Sequence, residues 1–514
     1  MEAMRRHPLL LALLAGALSA TGFAPLQLWP LALACIALLL WLAGEAQTRK
    51  RAFLTGWCFG LGHFTVGLNW IAHAFTFQDA MPHWLGYGAV VALSLYLAVW
   101  PGLVTLTLRL ARERCPALPA APLFAGLWII SEYGRATLFT GFAWDPLGLI
   151  WLGTGVDQAA RIVGTYGLSG LAALAGGAML ALAGKRWRTG LPMLAAFGAI
   201  AVLGFTNLPG ASEAPGTAIT VVQPNINQNE KYDAALEQVN FAKLAELTGP
   251  SSANRPRLVF WPEAALPAWL DMEPEWLARV ASLLGPHDLL MTGGAKVYFR
   301  DRGKGFYTDR TLIGANNSAW VVTPDARLPA RYDKAHLVPY GEYLPMRAFL
   351  EPLGLSRLVP GDTDFWPGPG PRSLLLPADG THRAAMKMGV QICYEIIFSG
   401  EVIHRQNRPA FLYNPSNDAW FGDWGPPQHL AQARMRAIEE AMPIIRSTPT
   451  GISAVIDGHG RLIAQIPLHQ GGAINATLPP ALSPTPFARF GNLLPLALAL
   501  ALVALSVAST RFRR

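Results

Sequence analysis

Long apolar stretches dominate the chain up to about residue 208, and one more lies near its end. A helix that spans a lipid bilayer needs about 20 mostly apolar residues, and most of these stretches reach that length. We therefore predict about eight membrane spans, of which the fifth is the weakest because it is short and ends in Ser131 and Glu132. The predicted spans are Pro8–Ala24, Leu26–Gly44, Ala52–Phe75, Trp84–Leu108, Leu118–Tyr133, Ile162–Gly184, Gly190–Leu208 and Phe490–Ala508.

Basic residues occur in alternate loops between these stretches, and the loops between them hold almost none. Because Lys and Arg accumulate on the cytoplasmic side of a membrane, both chain ends are predicted to be cytoplasmic. The long insertion between the seventh and eighth spans then lies outside. The alternative that Met1–Ala24 is a signal peptide would leave the later loops on the same sides. The basic groups are Arg5–Arg6, Arg49–Arg51, Arg109–Arg114, Lys185–Arg188 and Arg511–Arg514.

The insertion has a different pattern, in which charges return and the apolar runs shorten to the length of strands. Helical patterns such as Tyr232–Leu247 and Gln428–Ala441 lie between several of these runs. Strands that alternate with helices indicate an α/β domain. The predicted strands are Ile219–Gln223, Leu258–Trp261, Leu289–Thr292, Ser318–Thr323, Lys387–Ile392, Phe411–Asn414 and Ser453–Ile456.

These patterns divide the chain into five parts. Residues 1–208 hold the first seven spans, 209–217 form a linker, and 218–477 form the polar domain. A second linker at 478–488 leads to the last span and a basic tail at 489–514. Within the polar domain the Pro- and Gly-rich segment Arg347–Pro371 is predicted to be a loop that covers a site.

Composition narrows the class of protein. The chain is 52% hydrophobic and only 14% charged, against about 25% charged in a typical soluble domain. Its net charge of +8 does not indicate a nucleic-acid partner, because the basic residues lie in short groups between apolar runs. The four cysteines lack the spacing of a zinc site or a disulfide framework. No metal and no cofactor is therefore predicted.

Three reactive side chains each come just after a predicted strand or beside one: Glu263, Lys334 and Cys393. A cysteine attacks as its thiolate, so an active cysteine requires a base and a nearby cation, which the other two supply. Each residue alone also fits a structural role. Glu263 could be a solvated carboxylate, Lys334 a surface partner of Asp333, and Cys393 a small buried apolar residue.

The surrounding motifs carry more information than the single residues. The runs Trp-Pro-Glu263, Tyr-Asp-Lys334 and Cys393-Tyr-Glu395, followed by Asn414-Pro-Ser-Asn-Asp-Ala-Trp-Phe-Gly, resemble the nitrilase superfamily of carbon–nitrogen hydrolases. That resemblance implies an α-β-β-α sandwich domain with a Glu, a Lys and a Cys in its active site. With about eight spans around such a domain, the chain is similar to the membrane-embedded members that acylate lipoproteins.

The resemblance implies a two-step acyl transfer. Glu263 is expected to act as general base on Cys393, whose thiolate attacks the sn-1 ester of a phospholipid and forms a thioester. The α-amino group of the diacylglyceryl-cysteine at the N-terminus of an apolipoprotein then takes the acyl chain. Lys334 is expected to stabilise the oxyanion together with the backbone N–H of Tyr394.

The same resemblance implies accessory roles for Glu342, Tyr394 and Glu395, with Glu342 holding Lys334 or the substrate amine. The expected partners are a phospholipid donor, a diacylated apolipoprotein acceptor and the bilayer, with no nucleic acid and a monomeric enzyme. The enzyme is expected in the inner membrane of a two-membrane bacterium, with the catalytic domain facing the periplasm.

Two alternatives remain at this point. A membrane-tethered amidase or nitrilase that hydrolyses a small amide would use the same three residues, but a single span would suffice as its anchor. A transporter or receptor with a degenerate outer domain would be expected to have lost one of the three residues. All three are present, and polar residues within the spans are sparse for a transport path.

Overall fold

The apolar part of the chain is helical in the computed structural model, which describes residues 6–77, 81–206, 216–252, 256–302, 309–354, 357–358, 363–380 and 383–511. Helices occupy all eight stretches in which spans are predicted, and the prediction of about eight membrane helices is confirmed in outline. The helices are α1 (Pro8–Ser19), α2 (Trp29–Glu45), α3 (Arg49–Gly67), α4 (Ile71–Ala74), α5 (Leu85–Leu97), α6 (Val99–Arg114), α7 (Ala120–Thr137), α8 (Ala160–Ala183), α9 (Trp187–Thr206), and at the other end α14 (Pro486–Phe490) and α15 (Leu493–Arg511).

Among the described residues, four helical segments are long and apolar enough to cross a bilayer: 85–114, 156–183, 187–206 and 493–510. Two further apolar helices, 8–22 and 29–45, are shorter. Large apolar side chains point outward from the long segments, such as Leu203 on α9 and Leu500 on α15. Such an apolar surface is stable in contact with lipid but costly in water. The outward face of the bundle is therefore suited to a bilayer.

The polar domain contains two six-stranded sheets. The first has the strand order β12-β1-β2-β3-β4-β5 and the second β11-β10-β9-β8-β7-β6. Helices α10 (Glu237–Thr248), α11 (Pro274–Ala281), α12 (Arg347–Leu350) and α13 (Gly425–Glu440) lie between the strands in sequence. The strands are β1 (Ala218–Gln223), β2 (Arg257–Phe260), β3 (Leu289–Arg302), β4 (Asp309–Val322), β5 (Ala330–Asp333), β6 (Ser373–Leu376), β7 (Met386–Val390), β8 (Phe411–Pro415), β9 (Ile444–Ser447), β10 (Ser453–Ile456), β11 (Leu462–Ile466) and β12 (Gly472–Thr477).

The two sheets pack face to face through aromatic residues of their central strands. The ring of Phe260 on β2 meets the rings of Phe411 and Tyr413 on β8 at centroid distances of 5.9 and 5.3 Å. The outer face of the first sheet is covered by apolar residues of α10 and α11, such as Leu244 and Val280. Because β1, β2 and β3 run parallel, as do β7, β8 and β9, their carboxyl ends share one edge in each sheet. The predicted sandwich of two sheets between helices is confirmed.

Helix α13 joins the sandwich to the membrane helices. Gly164 has a left-handed φ of +65°, so α8 is kinked there and the next backbone N–H lacks its helical acceptor. The carboxylate of Glu439 on α13 accepts that N–H and the hydroxyl of Thr165, each at 2.7 Å. The Trp144 indole donates to Gln428 on the same helix at 2.8 Å. A polar contact thus replaces a broken helix bond where the two parts meet.

The structure differs from the predictions at two segments. The helix predicted over Tyr232–Leu247 begins only at Glu237, because residues 224–236 form turns that reach the active site. The segment predicted to be a covering loop begins instead with the short helix α12. Within this segment Trp366 stacks on Tyr298 at 5.1 Å, whereas Phe349 on α12 is 74% exposed. Residues 355–356 and 359–362 of that loop, and 207–215 of the first predicted linker, lie outside the described residues.

Candidate active site

Glu263 follows β2 in the turn Trp261-Pro262-Glu263 and is 7% exposed. Its Oε1 accepts a hydrogen bond from the Asn317 side-chain amide at 2.7 Å. Its Oε2 is buried and has no hydrogen-bond partner among the described residues. A buried carboxylate oxygen without a donor is costly. This oxygen is therefore the one available to take a proton from a neighbouring group.

Lys334 directly follows β5 and is 1% exposed. Its Nζ lies 2.9 Å from Oε2 of Glu342, and its backbone N–H donates to the carbonyl of Asn317 at 2.8 Å. Burial acts to lower the pKa of Lys334, but the carboxylates of Glu342 and Glu263 outweigh it and keep the pKa above its ordinary value. The site therefore contains a fixed ammonium ion.

Asn317 on β4 connects the two carboxylates. Its amide nitrogen donates one hydrogen bond to Glu263 at 2.7 Å and one to Glu342 at 2.8 Å. Glu342 also accepts the backbone N–H of Val338 at 2.8 Å. One amide group thus sets the spacing of the carboxylates around Lys334.

Cys393 follows β7 and begins a short 3-10 turn, Cys393–Ile397, with a left-handed φ of +51°. A non-glycine residue in this region is strained by about 1–3 kcal/mol, and such strain is typical of functional sites. The side chain is 5% exposed. Burial and the negative charge of Glu263 raise the pKa of the thiol well above its ordinary value, while Lys334 and the backbone N–H of Asn417 act in the opposite direction. The thiol is consequently protonated at neutral pH.

Glu395 holds the segment of Lys334 against the turn of Cys393. Its Oε1 accepts the Tyr332 hydroxyl at 2.8 Å and the backbone N–H of Ala335 at 2.7 Å, and its Oε2 accepts the N–H of Ile392 at 2.7 Å. Burial raises the pKa of this carboxyl to about 7, against the effect of these donors. Both oxygens are occupied, so Glu395 connects segments and does not face the reacting atoms.

The neighbouring Tyr394 is buried, and its hydroxyl lies 3.5 Å from the carbonyl of Gly141 in the loop after α7. Its ring packs edge-on against Phe398 at 5.3 Å. The side chain therefore packs toward the membrane helices, and only its backbone N–H can serve the reaction at Cys393.

The structure brings Glu263, Lys334 and Cys393 together in one buried site, with Glu342 beside Lys334. The catalytic roles expected of these residues stay predictions. The sequence analysis missed Lys231, whose Nζ donates to the backbone carbonyl of Glu263 at 3.0 Å. Burial lowers the pKa of Lys231 to about 8, although Glu263 acts to raise it.

The missed residues differ in the signal they leave in the sequence. Lys231 lies one residue before the predicted helical pattern Tyr232–Leu247, where a lysine is ordinary. Asn317 also escaped notice, since its spacing in sequence from the three key residues carries no periodic signal. Asn417 lies within the run that begins at Asn414, but no role of its own was expected. His429 was not among the expected site residues, although its Nε2 lies 3.1 Å from the carbonyl oxygen of Cys393.

Gly293 on β3 allows the Glu263 turn to lie close to the sheet. A Cβ at this position would lie 2.6 Å from Cα of Glu263 and 2.6 Å from the backbone nitrogen of Ala264. Gly293→Ala must therefore displace Glu263, and we expect acyl transfer to fall about 10²-fold, the cost of a misplacement of about 1 Å. Gly294→Ala is the matched control, since its Cβ would meet only the Trp320 ring at 3.5 Å. Equal activities of the two variants would contradict this account.

A two-sheet sandwich with a buried Glu, Lys and Cys near its strand ends defines a cysteine enzyme of the carbon–nitrogen hydrolase class. Residues 218–484 match the family model described as carbon-nitrogen hydrolase. Residues 15–178 match the apolipoprotein N-acyltransferase N-terminal domain. The chain belongs to the apolipoprotein N-acyltransferase family, and it is an acyltransferase of the inner membrane.

Curated relatives named apolipoprotein N-acyltransferase align with nearly the whole chain. The protein of Rhodopseudomonas palustris is 35% identical, over 97% of this chain and 94% of its own length. That of Caulobacter vibrioides is 36% identical, over 95% and 92%. Among solved structures, an amidase of Nesterenkonia sp. AN1 covers 56% of this chain and 96% of its own, with 14% identity and a TM-score of 0.33.

Proposed function

We propose that the enzyme moves a fatty acyl chain from a phospholipid to the α-amino group of the diacylglyceryl-cysteine at the N-terminus of an apolipoprotein. The observation that supports this most directly is the buried thiol of Cys393, which shares its site with the free Oε2 of Glu263 and the amino group of Lys334. Such a set can form, hold and discharge a thioester without a cofactor.

The first half-reaction loads the enzyme. Glu263 takes the Sγ proton, and the sulfur of Cys393 attacks the carbonyl carbon of the sn-1 ester. Negative charge develops on the carbonyl oxygen, where Lys334 and the backbone N–H of Tyr394 stabilise it. The bond to the glycerol oxygen then breaks, and the proton passes from Glu263 to that oxygen. The products are an acyl thioester and a lysophospholipid.

The second half-reaction unloads it. The neutral α-amino group attacks the thioester carbonyl and gives one proton to Glu263, and the same two donors stabilise the oxyanion. The C–S bond breaks, and Cys393 recovers its proton from Glu263. Glu342 serves throughout by holding the Lys334 ammonium at 2.9 Å, so the cation stays aimed while substrates exchange.

The membrane helices give both substrates access to this site. Withdrawing an acyl chain from lipid into water costs about 0.8 kcal/mol per CH₂, so both substrates stay in the bilayer. The alternating basic loops support a periplasmic catalytic domain at 218–477, with both termini in the cytoplasm. All the reacting groups come from one chain, in keeping with a monomeric enzyme.

The rival activity is hydrolysis of a small amide by a tethered enzyme, since water can also discharge a thioester. The extent of the helical bundle favours the acyltransferase, because an anchor alone requires one span. Turnover that depends on a lipid donor and an amine acceptor separates the two.

The test is intact-protein mass spectrometry of the purified enzyme in detergent after incubation with phospholipid vesicles. We expect a mass gain of one acyl chain, and its loss when a diacylated lipopeptide with a free α-amino group is added. An N-acetylated lipopeptide is the matched control and should leave the adduct in place. Absence of any adduct, with small amides hydrolysed instead, would overturn the proposal in favour of the tethered hydrolase.

A further inference from the structure

The backbone carbonyl of the nucleophile is held by a buried histidine. His429 on α13 is 0% exposed, and its Nε2 lies 3.1 Å from the carbonyl oxygen of Cys393. A carbonyl oxygen can only accept a hydrogen bond, so Nε2 must carry the hydrogen. Nε2 is therefore a hydrogen-bond donor whether the imidazole is neutral or charged.

The Nδ1 side of the His429 ring faces a buried ion pair between Arg446 and Asp418. Arg446 on β9 donates to both carboxylate oxygens of Asp418 at 2.6 and 2.7 Å. Nδ1 of His429 lies 3.0 Å from the same arginine and 3.0 Å from Asp418. Burial and the Arg446 charge lower the pKa of His429, against the effect of Asp418, so the ring is neutral with Nδ1 as an acceptor from Arg446.

The planar peptide carries this constraint to the next residue. In a trans peptide the C=O and the N–H point in opposite directions. In the 3-10 turn the N–H of Glu395 is the first to donate to a carbonyl of the turn, that of Ile392. Tyr394 comes one residue earlier in the chain, so its N–H has no acceptor within the turn. With the Cys393 carbonyl fixed on His429, the Tyr394 N–H must point away from α13.

We infer that His429 is a positioning residue that aims the backbone N–H of Tyr394 at the substrate oxyanion. It acts through the peptide between Cys393 and Tyr394 and touches no reacting atom. This inference rests on the proposed function, in which that N–H stabilises the charge that develops in both half-reactions. A donor aimed in advance is worth more than one that must reorient during the reaction.

The position of His429 also connects the hydrogen bond to the Cys393 carbonyl with the membrane helices. Its ring packs against Trp144 at 5.4 Å, and the adjacent Gln428 accepts the Trp144 indole N–H at 2.8 Å. Trp144 lies in the loop that follows α7. The same helix that aims the oxyanion donor is therefore held in place by the bundle.

The test compares His429→Phe, which keeps a packed ring but has no donor, with His429→Gln, whose amide can place a donor near the position of Nε2. Two rates are measured on the full-length enzyme in detergent, with the other three cysteines replaced by alanine. One is thioester formation from phospholipid, which passes through an oxyanion. The other is alkylation of Cys393 by iodoacetamide, in which a C–S bond forms, iodide leaves and no oxyanion arises.

We expect thioester formation to fall about 10- to 100-fold in His429→Phe, less than the roughly 10²–10³-fold effect of deleting an oxyanion donor outright. It should stay within about threefold of the parent in His429→Gln. Alkylation should stay within about threefold in both variants, which also shows that the site is assembled. If His429→Phe does not fold, His429→Asn replaces it, since its shorter amide does not reach the carbonyl.

Two results would overturn the inference: thioester formation at the parent rate without the donor, or equal losses in thioester formation and alkylation. The second result would assign His429 to the general integrity of the site. Failure of the parent enzyme itself to form a thioester would instead refute the proposed function, so the two failures are distinguishable.

Discussion

Cys393→Ala is expected to abolish acyl transfer, with turnover reduced by roughly 10⁴- to 10⁶-fold, because loss of a covalent nucleophile removes the whole two-step route. The buried surroundings should tolerate the change, since alanine fits where the thiol was and the backbone N–H of Asn417 is the group that loses the sulfur as a partner. The variant should therefore fold, bind phospholipid and form no acyl adduct.

The matched control is Cys115→Ala, which removes a thiol just after α6, outside the polar domain. It should acylate and turn over at the native rate. The measurement is transfer of a labelled acyl chain from phospholipid to a diacylated lipopeptide, alongside thermal unfolding of both variants. Residual transfer by Cys393→Ala above about one part in 10³ would show that the amine can attack the ester directly and that no thioester is required.

Several features of the site were predictable because they depend on short stretches of sequence. Glu263 and Cys393 each follow a run with the pattern of a buried strand, and in a sheet of parallel strands such ends lie at one edge. No strand was predicted directly before Lys334, which follows the antiparallel edge strand β5. The motif resemblance supplied the second sheet, since periodicity identified only part of it. Strand β9 escaped because Pro443 precedes it and because Arg446 is charged, which leaves only three apolar or small residues among its four.

Other features could not be read from the sequence because they depend on pairs of distant residues. Asn317 is 54 residues from Glu263 and 25 from Glu342, yet one amide binds both. Lys231 lies outside every predicted element, and the turns before α10 carry it into the site. His429 lies 36 residues from Cys393, and no periodic pattern links a helix to the carbonyl of a nucleophile. Three-dimensional proximity, not composition, defines these contacts.

The charges of the site explain why the thiol stays neutral. Two carboxylates, Glu263 and Glu342, lie near two ammonium groups, Lys334 and Lys231, and all four are buried. Buried charges are tolerated when they are paired and hydrogen-bonded. Burial disfavours a thiolate at Cys393, and the negative charge of Glu263 adds to this effect, so the pKa of the thiol is raised even though Lys334 acts to lower it. The sulfur must therefore lose its proton to a base at the moment of attack.

Glu263→Gln is expected to slow thioester formation by about 10²- to 10⁴-fold at pH 7, the range in which general-base catalysis contributes. The amide keeps the shape and can still accept from Asn317, but it cannot take the Sγ proton. The substitution also removes a negative charge that raises the pKa of Cys393, so the pKa of the thiol should fall, although burial still holds it above its ordinary value.

The sign of the pH dependence follows from these two effects. In Glu263→Gln only the thiolate formed by ionisation can react, so the residual rate should rise about tenfold for each pH unit up to the pKa of the thiol. The native enzyme, in which the carboxylate removes the proton during attack, should rise less steeply over the same range. Quenched assays of thioester formation from pH 6 to 9 measure the pH dependence of the rate in both enzymes. The control for the loss of one carboxylate is Glu246→Gln, on the exposed face of α10. A variant that acylates at the native rate at pH 7 would show that the proton leaves by another route and that Glu263 is not the base.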